Sequence, residues 1–179
     1  MSQPMEKPQD TSRLTEWVGL AFLAVFTVMA ILGYWTFGLH PNLIPDSDFS
    51  RNFYGMSFKL FARLHIVVAG VVLAVKLYKH SDSRWIAGFV AVAVASFLSE
   101  HIGTGDGFPF GGYEYTGLLG YKLGGRVPFL IPISWFLMAL PSWVLASMVF
   151  PGRKGTVPRI VLAAYLLTAW DLSLDPAMS

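Results

Sequence analysis

The chain has no cysteine and little charge. Without cysteine it can have no disulfide, no thiolate nucleophile and no iron–sulfur ligation. Charged residues make up 13% of it, against roughly 25% in soluble domains, so a water-soluble globule is excluded. Its net charge of +2 is dispersed. No Lys/Arg cluster marks a nucleic-acid partner or a specific anionic-lipid site. The histidines (His40, His65, His80 and His101) form no close pair at helical spacing with a third ligand. No metal site is expected, and the dense histidine clusters of membrane di-iron oxygenases are absent. Gly103, Gly105 and Gly107 do not make a phosphate loop, because no strand precedes them and no Lys-Ser/Thr follows. No cofactor is expected. No internal repeat is visible, which argues against a repeat-built transporter.

What the sequence does have is apolar length. Of its 179 residues, 54% are hydrophobic, and the mean hydropathy is +0.54. The pattern predicts an all-α, polytopic transmembrane bundle of about five spans. Residues 1–16 form a polar N-terminal tail, and residues 17–179 a single transmembrane domain. Trp17–Leu39 is apolar throughout and exceeds the roughly 20 residues that cross a bilayer core. It is too long for the apolar core of a cleavable leader and reads as a first membrane helix. Tyr34 and Trp35 near its end fit an interfacial aromatic belt. After a polar loop over His40–Ser57, further spans are expected at about Phe58–Tyr78, Trp85–Ser99, Val127–Phe150 and Pro158–Leu172. With the N-terminus inside, eight Lys/Arg lie inside and five outside, which favours a cytoplasmic N-terminus in the cell (inner) membrane. In either orientation, five spans place residues 100–126 and 171–175 at the same membrane face.

Residues 100–126, EHIGTGDGFPFGGYEYTGLLGYKLGGR, form the segment that stands out. They are expected to be a long Gly/aromatic-rich loop between spans three and four. Glycines permit close approach of backbone to a ligand, and a loop this long is usually functional or disordered. The aromatics favour an ordered loop over a disordered one; a tight connector folded on the bundle is the competing reading. Glu100 follows an apolar helix, where its carboxyl meets the unfavourable end of the helix dipole. It reads either as a proton donor or as an interfacial, solvated acid. Asp171 ends the fifth span, and Asp175 lies four residues on, on the same face if the helix continues. Pro176 is expected to end that helix. An ionisable residue in a membrane segment is a functional candidate by default, although two solvated acids at a membrane exit remain the alternative. Trp135, Phe136, Met138 and Trp143 line an apolar slot or simply pack.

At these residues the chain resembles a known family. The runs G-x-P-F-G-G-Y-E-Y at Gly107–Tyr115, V-P at Val127–Pro128, I-P-I-S-W-F at Ile131–Phe136 and A-W-D-L-S-L-D-P-A-M at Ala169–Met178 resemble the membrane carotenoid biosynthesis family. That family includes carotenoid 1,2-hydratases. The resemblance is strongest from Ser96 to Met178, and the D-L-x-L-D-P-x-M ending is its most specific piece. Family members usually continue past that motif into a Trp- and Gly-rich stretch and further membrane segments. The chain therefore reads as a member truncated at its C-terminus, as a fragment or as half of a split protein.

The resemblance implies hydration of the terminal C-1,2 double bond of an acyclic carotenoid. Protonation at C-2 leaves a tertiary cation at C-1, which water captures. Such chemistry needs a desolvated acid, a second carboxylate to orient water and a pocket that tolerates a cation. The implied acid–base set is Asp171, Asp175, Glu100, Asp106 and Glu114, with the two C-terminal aspartates first. The implied substrate contacts are Phe110, Tyr113, Tyr115 and Trp135. Aromatic faces stabilise a nearby cation by about 0.5–2 kcal/mol each. The implied partners are an acyclic carotenoid, the lipid bilayer and other carotenoid-pathway enzymes, with no nucleic acid. Three other readings stay open: a non-catalytic carotenoid- or lipid-binding scaffold, a proton-coupled transporter, and another isoprenoid enzyme such as a cyclase.

Overall fold

The computed structural model of the chain describes residues 9–108 and 112–178. They fall into two compact units, Met1–Asp82 and Ser83–Ser179. In the first, helix α1 (Gln9–Gly33) passes into a π-helical turn at Tyr34–Gly38. A short 3-10 turn at Pro41–Leu43 leads to helix α2 (Asp48–His80). The two helices form an antiparallel hairpin, as the pairs along it show. Near its open end, His80 Nε2 lies 2.8 Å from Glu16 Oε1. At mid-height, Thr27 Oγ1 lies 3.3 Å from His65 Nε2, and the Phe26 and Phe61 rings stack at 4.8 Å. At the closed end, Phe37 meets Tyr54 at 6.2 Å.

Helix α2 begins ten residues before the expected second span. Ser47 accounts for the early start: its side chain accepts from the Ser50 N–H at 3.1 Å, and Asp48 supplies an acid in the first turn. Both satisfy the exposed donors of a helix N-terminus. A hydropathy pattern sees only the apolar body and misses the capped polar turns.

The second unit contains α3 (Arg84–Asp106), a two-stranded antiparallel ladder of β1 (Lys122–Leu123) and β2 (Val127–Pro128), α4 (Leu130–Val149) and α5 (Thr156–Met178). Lys122 pairs with Pro128 and Leu123 with Val127. The turn between the strands uses Gly124 (φ +58°) and Gly125 (φ +73°). Helix α4 packs against both α3 and α5, with Phe89 set edge-on to Phe136 at 5.2 Å. Its core is built around the ladder, since Val127, Pro128, Leu130 and Ile131 are its largest fully buried side chains. Arg159 closes the turn from α4 to α5. Its guanidinium donates to the Phe150 carbonyl at 2.8 Å and the Gly152 carbonyl at 2.7 Å, and lies 5.4 Å from the Trp143 ring centroid.

Three expectations need correction in this unit. Helix α3 does not stop near Ser99 but runs to Asp106, so Glu100 is helical rather than in a loop. Gly103 and Gly105 are tolerated within it, and the stop is Gly107, whose φ of +76° closes the last turn with an N–H bond to the Gly103 carbonyl. Val127 and Pro128, expected at the start of the fourth span, form β2 instead. Pro176 does not end α5, which continues to Met178; the missing proline N–H removes a single hydrogen bond close to the helix end.

Four described helical segments are long and apolar enough to cross a membrane: Arg13–Gly38, Asp48–His80, Arg84–Asp106 and Leu130–Val149. The first two have 0% of their apolar windows buried within the chain, against 17% and 33% for the others. Apolar surface of that extent needs lipid to cover it, which supports an integral-membrane location. Helix α5 is not among them, its side chains beyond Asp171 lying outside the described residues.

Candidate functional site

The site is built on Glu100, near the C-terminal end of α3. Its side chain is 4% exposed. Burying a carboxylate is costly unless donors replace its lost water, and three do so here. Tyr115 Oη donates to Glu100 Oε2 at 2.7 Å, and Tyr113 Oη donates to the same oxygen. Trp135 Nε1, in the second turn of α4, donates to Oε1 at 3.1 Å. Helix α3, the segment after it and α4 thus converge on one carboxyl group.

The local sequence explains how two tyrosines reach one oxygen. Residues 113–116 have no regular secondary structure, and in extended chain alternate side chains share a side. Tyr113 and Tyr115 turn inward, edge to face at 5.5 Å, and Glu114 between them is exposed. The Lys122 ammonium donates to the Tyr115 carbonyl and ties this segment to β1. Burial first, and then the charge of Glu100, push the Tyr115 phenol well above its usual 10.0. Tyr115 therefore stays protonated and remains a donor.

This carries a pH expectation. Above pH 10.0 the unfolded chain loses the Tyr115 proton while the folded chain keeps it. The stabilisation is complete below that pH and is lost as the pH rises towards the folded value. Stability of the wild type should fall more steeply above pH 10.0 than that of Tyr115→Phe, measured by urea unfolding across the alkaline range. Equal slopes would show that this phenol titrates normally.

The expected site residues are placed unequally. Glu100, Tyr113, Tyr115 and Trp135 come together. Asp106, the last residue of α3, is exposed, as is Glu114. Asp171 is half-buried in α5. Asp175 is in the same helix, four positions on, with its side chain outside the described residues; Phe110 also lies outside them. The tyrosines were expected to offer ring faces to a cation; what the structure shows of them is that their hydroxyls donate to Glu100. Among the described residues, no three His, Cys, Asp or Glu side chains are grouped to hold a metal ion.

One neighbour was not singled out from the sequence. His101 stacks on Phe97 at 5.5 Å, and its buried Nδ1 has no hydrogen-bond partner among the described residues. It lies under the β1–β2 turn, where a Cβ on Gly124 would stand 3.0 Å from His101 Cε1. Gly124→Ala should therefore loosen the turn that positions Lys122. The left-handed backbone alone costs about 1–2 kcal/mol for an alanine. A lowered thermal midpoint with retained helical dichroism would register it; an unchanged midpoint would mean that the turn refolds without loss.

Residues 61–179, which hold all of these groups, match the model of a family described as carotenoid biosynthesis protein. The chain belongs to the carotenoid biosynthesis protein family. The match reaches upstream of Ser96, into α2, where the sequence alone resembled the family only as apolar spans. The chain is also similar to the bisanhydrobacterioruberin hydratase of Haloarcula japonica, at 27% identity over 175 residues. The alignment covers 97% of this chain and 57% of that relative, so this family member spans just over half the relative's length. No solved structure matches the chain.

Proposed function

We propose that this protein hydrates the terminal C-1,2 double bond of an acyclic carotenoid. The observation that carries the reading is the buried Glu100 carboxyl, held by three donors inside the family-matched region. The hydratase name of the similar archaeal protein supports it.

A carboxylate held this way is an acceptor with fixed geometry. It suits two tasks: facing a developing cation, and taking a proton from attacking water. The proton donor is then the Asp171–Asp175 pair on α5, which packs on the helix carrying Trp135. A carboxyl of that pair gives its proton to C-2 and becomes a carboxylate, leaving a tertiary cation at C-1. Water bonds to C-1 through oxygen and yields its extra proton to Glu100. Return of that proton through water to the aspartates restores both groups, and the net change is one water added. The Gly/aromatic-rich segment after α3 is the place where the polyene end meets water. Lys and Arg counts favour a cytoplasmic N-terminus, with α5 entering the membrane beside α4. Other carotenoid-pathway enzymes would supply the substrate.

The test is product mass after expression in a lycopene-accumulating bacterium, with isotopically labelled water. A product heavier by one labelled water is expected. A new product of unchanged mass would replace hydration by cyclisation, and unaltered lycopene with the protein in the membrane would replace it by a non-catalytic role.

A further inference from the structure

The first unit holds a large cavity that the Glu100 site does not use. It has a volume of about 460 Å³, within the roughly 300–1,000 Å³ of small-ligand sites. Its walls come from the end of α1 and its π-helical turn, from Ile44 and Pro45 after the 3-10 turn, and from the first half of α2. They are strongly aromatic: Tyr34, Phe37, Phe49, Phe53, Tyr54 and Phe58 all line it. The rings form two contact sets. Phe37, Tyr54, Phe58 and Tyr34 touch in succession at 6.2–6.3 Å, and Phe49 stacks on Phe53 at 6.1 Å.

The backbone is shaped to make this space. The closing turn of α1 is π-helical, with the Leu39 N–H bonded to the Tyr34 carbonyl at 3.1 Å. Such a widened turn is uncommon and recurs at functional sites. Gly38 completes it, because a Cβ at that position would run into the Tyr34 ring.

We infer that this aromatic cavity binds the chain of an unsaturated isoprenoid, a conjugated, methyl-branched polyene. Flat aromatic walls offer extensive dispersion contact to a flat π-system and fix its orientation. A saturated acyl chain shares the dispersion contact but has no flat π-face to stack on such rings. The contrast exists within this protein: the cavity among α3, α4 and α5 has two rings, Phe136 and Trp143, and is otherwise lined by aliphatic and small residues such as Val92, Ala139, Leu140 and Ile160. The occupant's class rests on the carotenoid reading above, whereas the site itself does not involve Glu100 or Asp171.

The experiment uses the full chain in detergent micelles, with lycopene as the probe and a phospholipid with saturated chains as competitor. The readouts are lycopene retained per protein after washing and the shift of its visible absorption band. Wild type should retain lycopene against saturated lipid. The Phe53→Ala/Phe58→Ala double variant should retain at least about tenfold less, since two large apolar contacts are removed. Gly38→Ala, which adds one methyl and removes no ring, should also lower retention. It guards against a merely unfolded double variant. Leu140→Ala, in the aliphatic cavity, should change nothing. Equal retention by wild type and the cavity variants, or equal displacement by saturated lipid, would overturn the assignment. Asp171→Asn separates the two proposals, because it should keep lycopene retention while losing product. Retention without product in the wild type would sink hydration and leave the cavity assignment standing. Hydration and retention both untouched by the cavity variants would do the reverse.

Discussion

Replacing Glu100 by Gln should lower hydration by roughly 10²–10⁴-fold, the usual span for a lost acid–base group. The reason is as much geometric as electrostatic. Three donors point at this side chain: the Tyr113 and Tyr115 hydroxyls and the Trp135 indole N–H. An amide presents an NH₂ where one carboxylate oxygen stood, so one buried donor faces another. An unsatisfied buried donor costs about 1–3 kcal/mol, and the tyrosine segment should loosen from α3. Glu100→Asp keeps the charge but is one methylene shorter, so it should recover only part of the rate. Product yield per membrane-inserted protein distinguishes these outcomes. If Glu100→Gln hydrates as well as wild type, Glu100 is a structural anchor and the proton acceptor lies elsewhere.

Asp171→Asn should abolish product while leaving the fold intact. Asp171 is half-buried on α5, four positions before Asp175. An isosteric amide keeps the volume and removes the titratable proton. The two variants should differ in kind. Glu100→Gln disturbs packing around the tyrosines and should lower the thermal midpoint. Asp171→Asn should leave that midpoint near wild type and remove the chemistry. Lycopene converted at the wild-type rate by Asp171→Asn would exclude this residue as the acid and shift the role to Asp175 or the exposed acids Asp106 and Glu114.

Much of the fold could be read along the chain. The apolar runs located the first four membrane helices to within a few turns, because crossing a bilayer depends on a local sum of side-chain hydropathy. The ends were less legible. The first turns of α2 are polar and held by Ser47, and α3 survives two internal glycines before Gly107 stops it. Caps act through single hydrogen bonds that a hydropathy average smooths away.

The candidate site was legible only as a set of residue types. Family-like motifs picked out Tyr113, Tyr115 and Trp135, and its place at the end of an apolar helix picked out Glu100, without saying which would meet. Alternation in Tyr113-Glu114-Tyr115 could have placed Glu114 on the outer side, had the segment been read as extended. By itself the sequence determined the membrane class, the approximate helices and the absence of thiol chemistry. Each follows from composition or from neighbours in the chain. Only the tertiary structure decided that two tyrosines and a tryptophan converge on Glu100, from 13, 15 and 35 residues away. That convergence depends on where the chain turns back on itself at Gly107, Gly124 and Gly125. No periodicity within a helix or strand encodes the meeting of groups on three different segments.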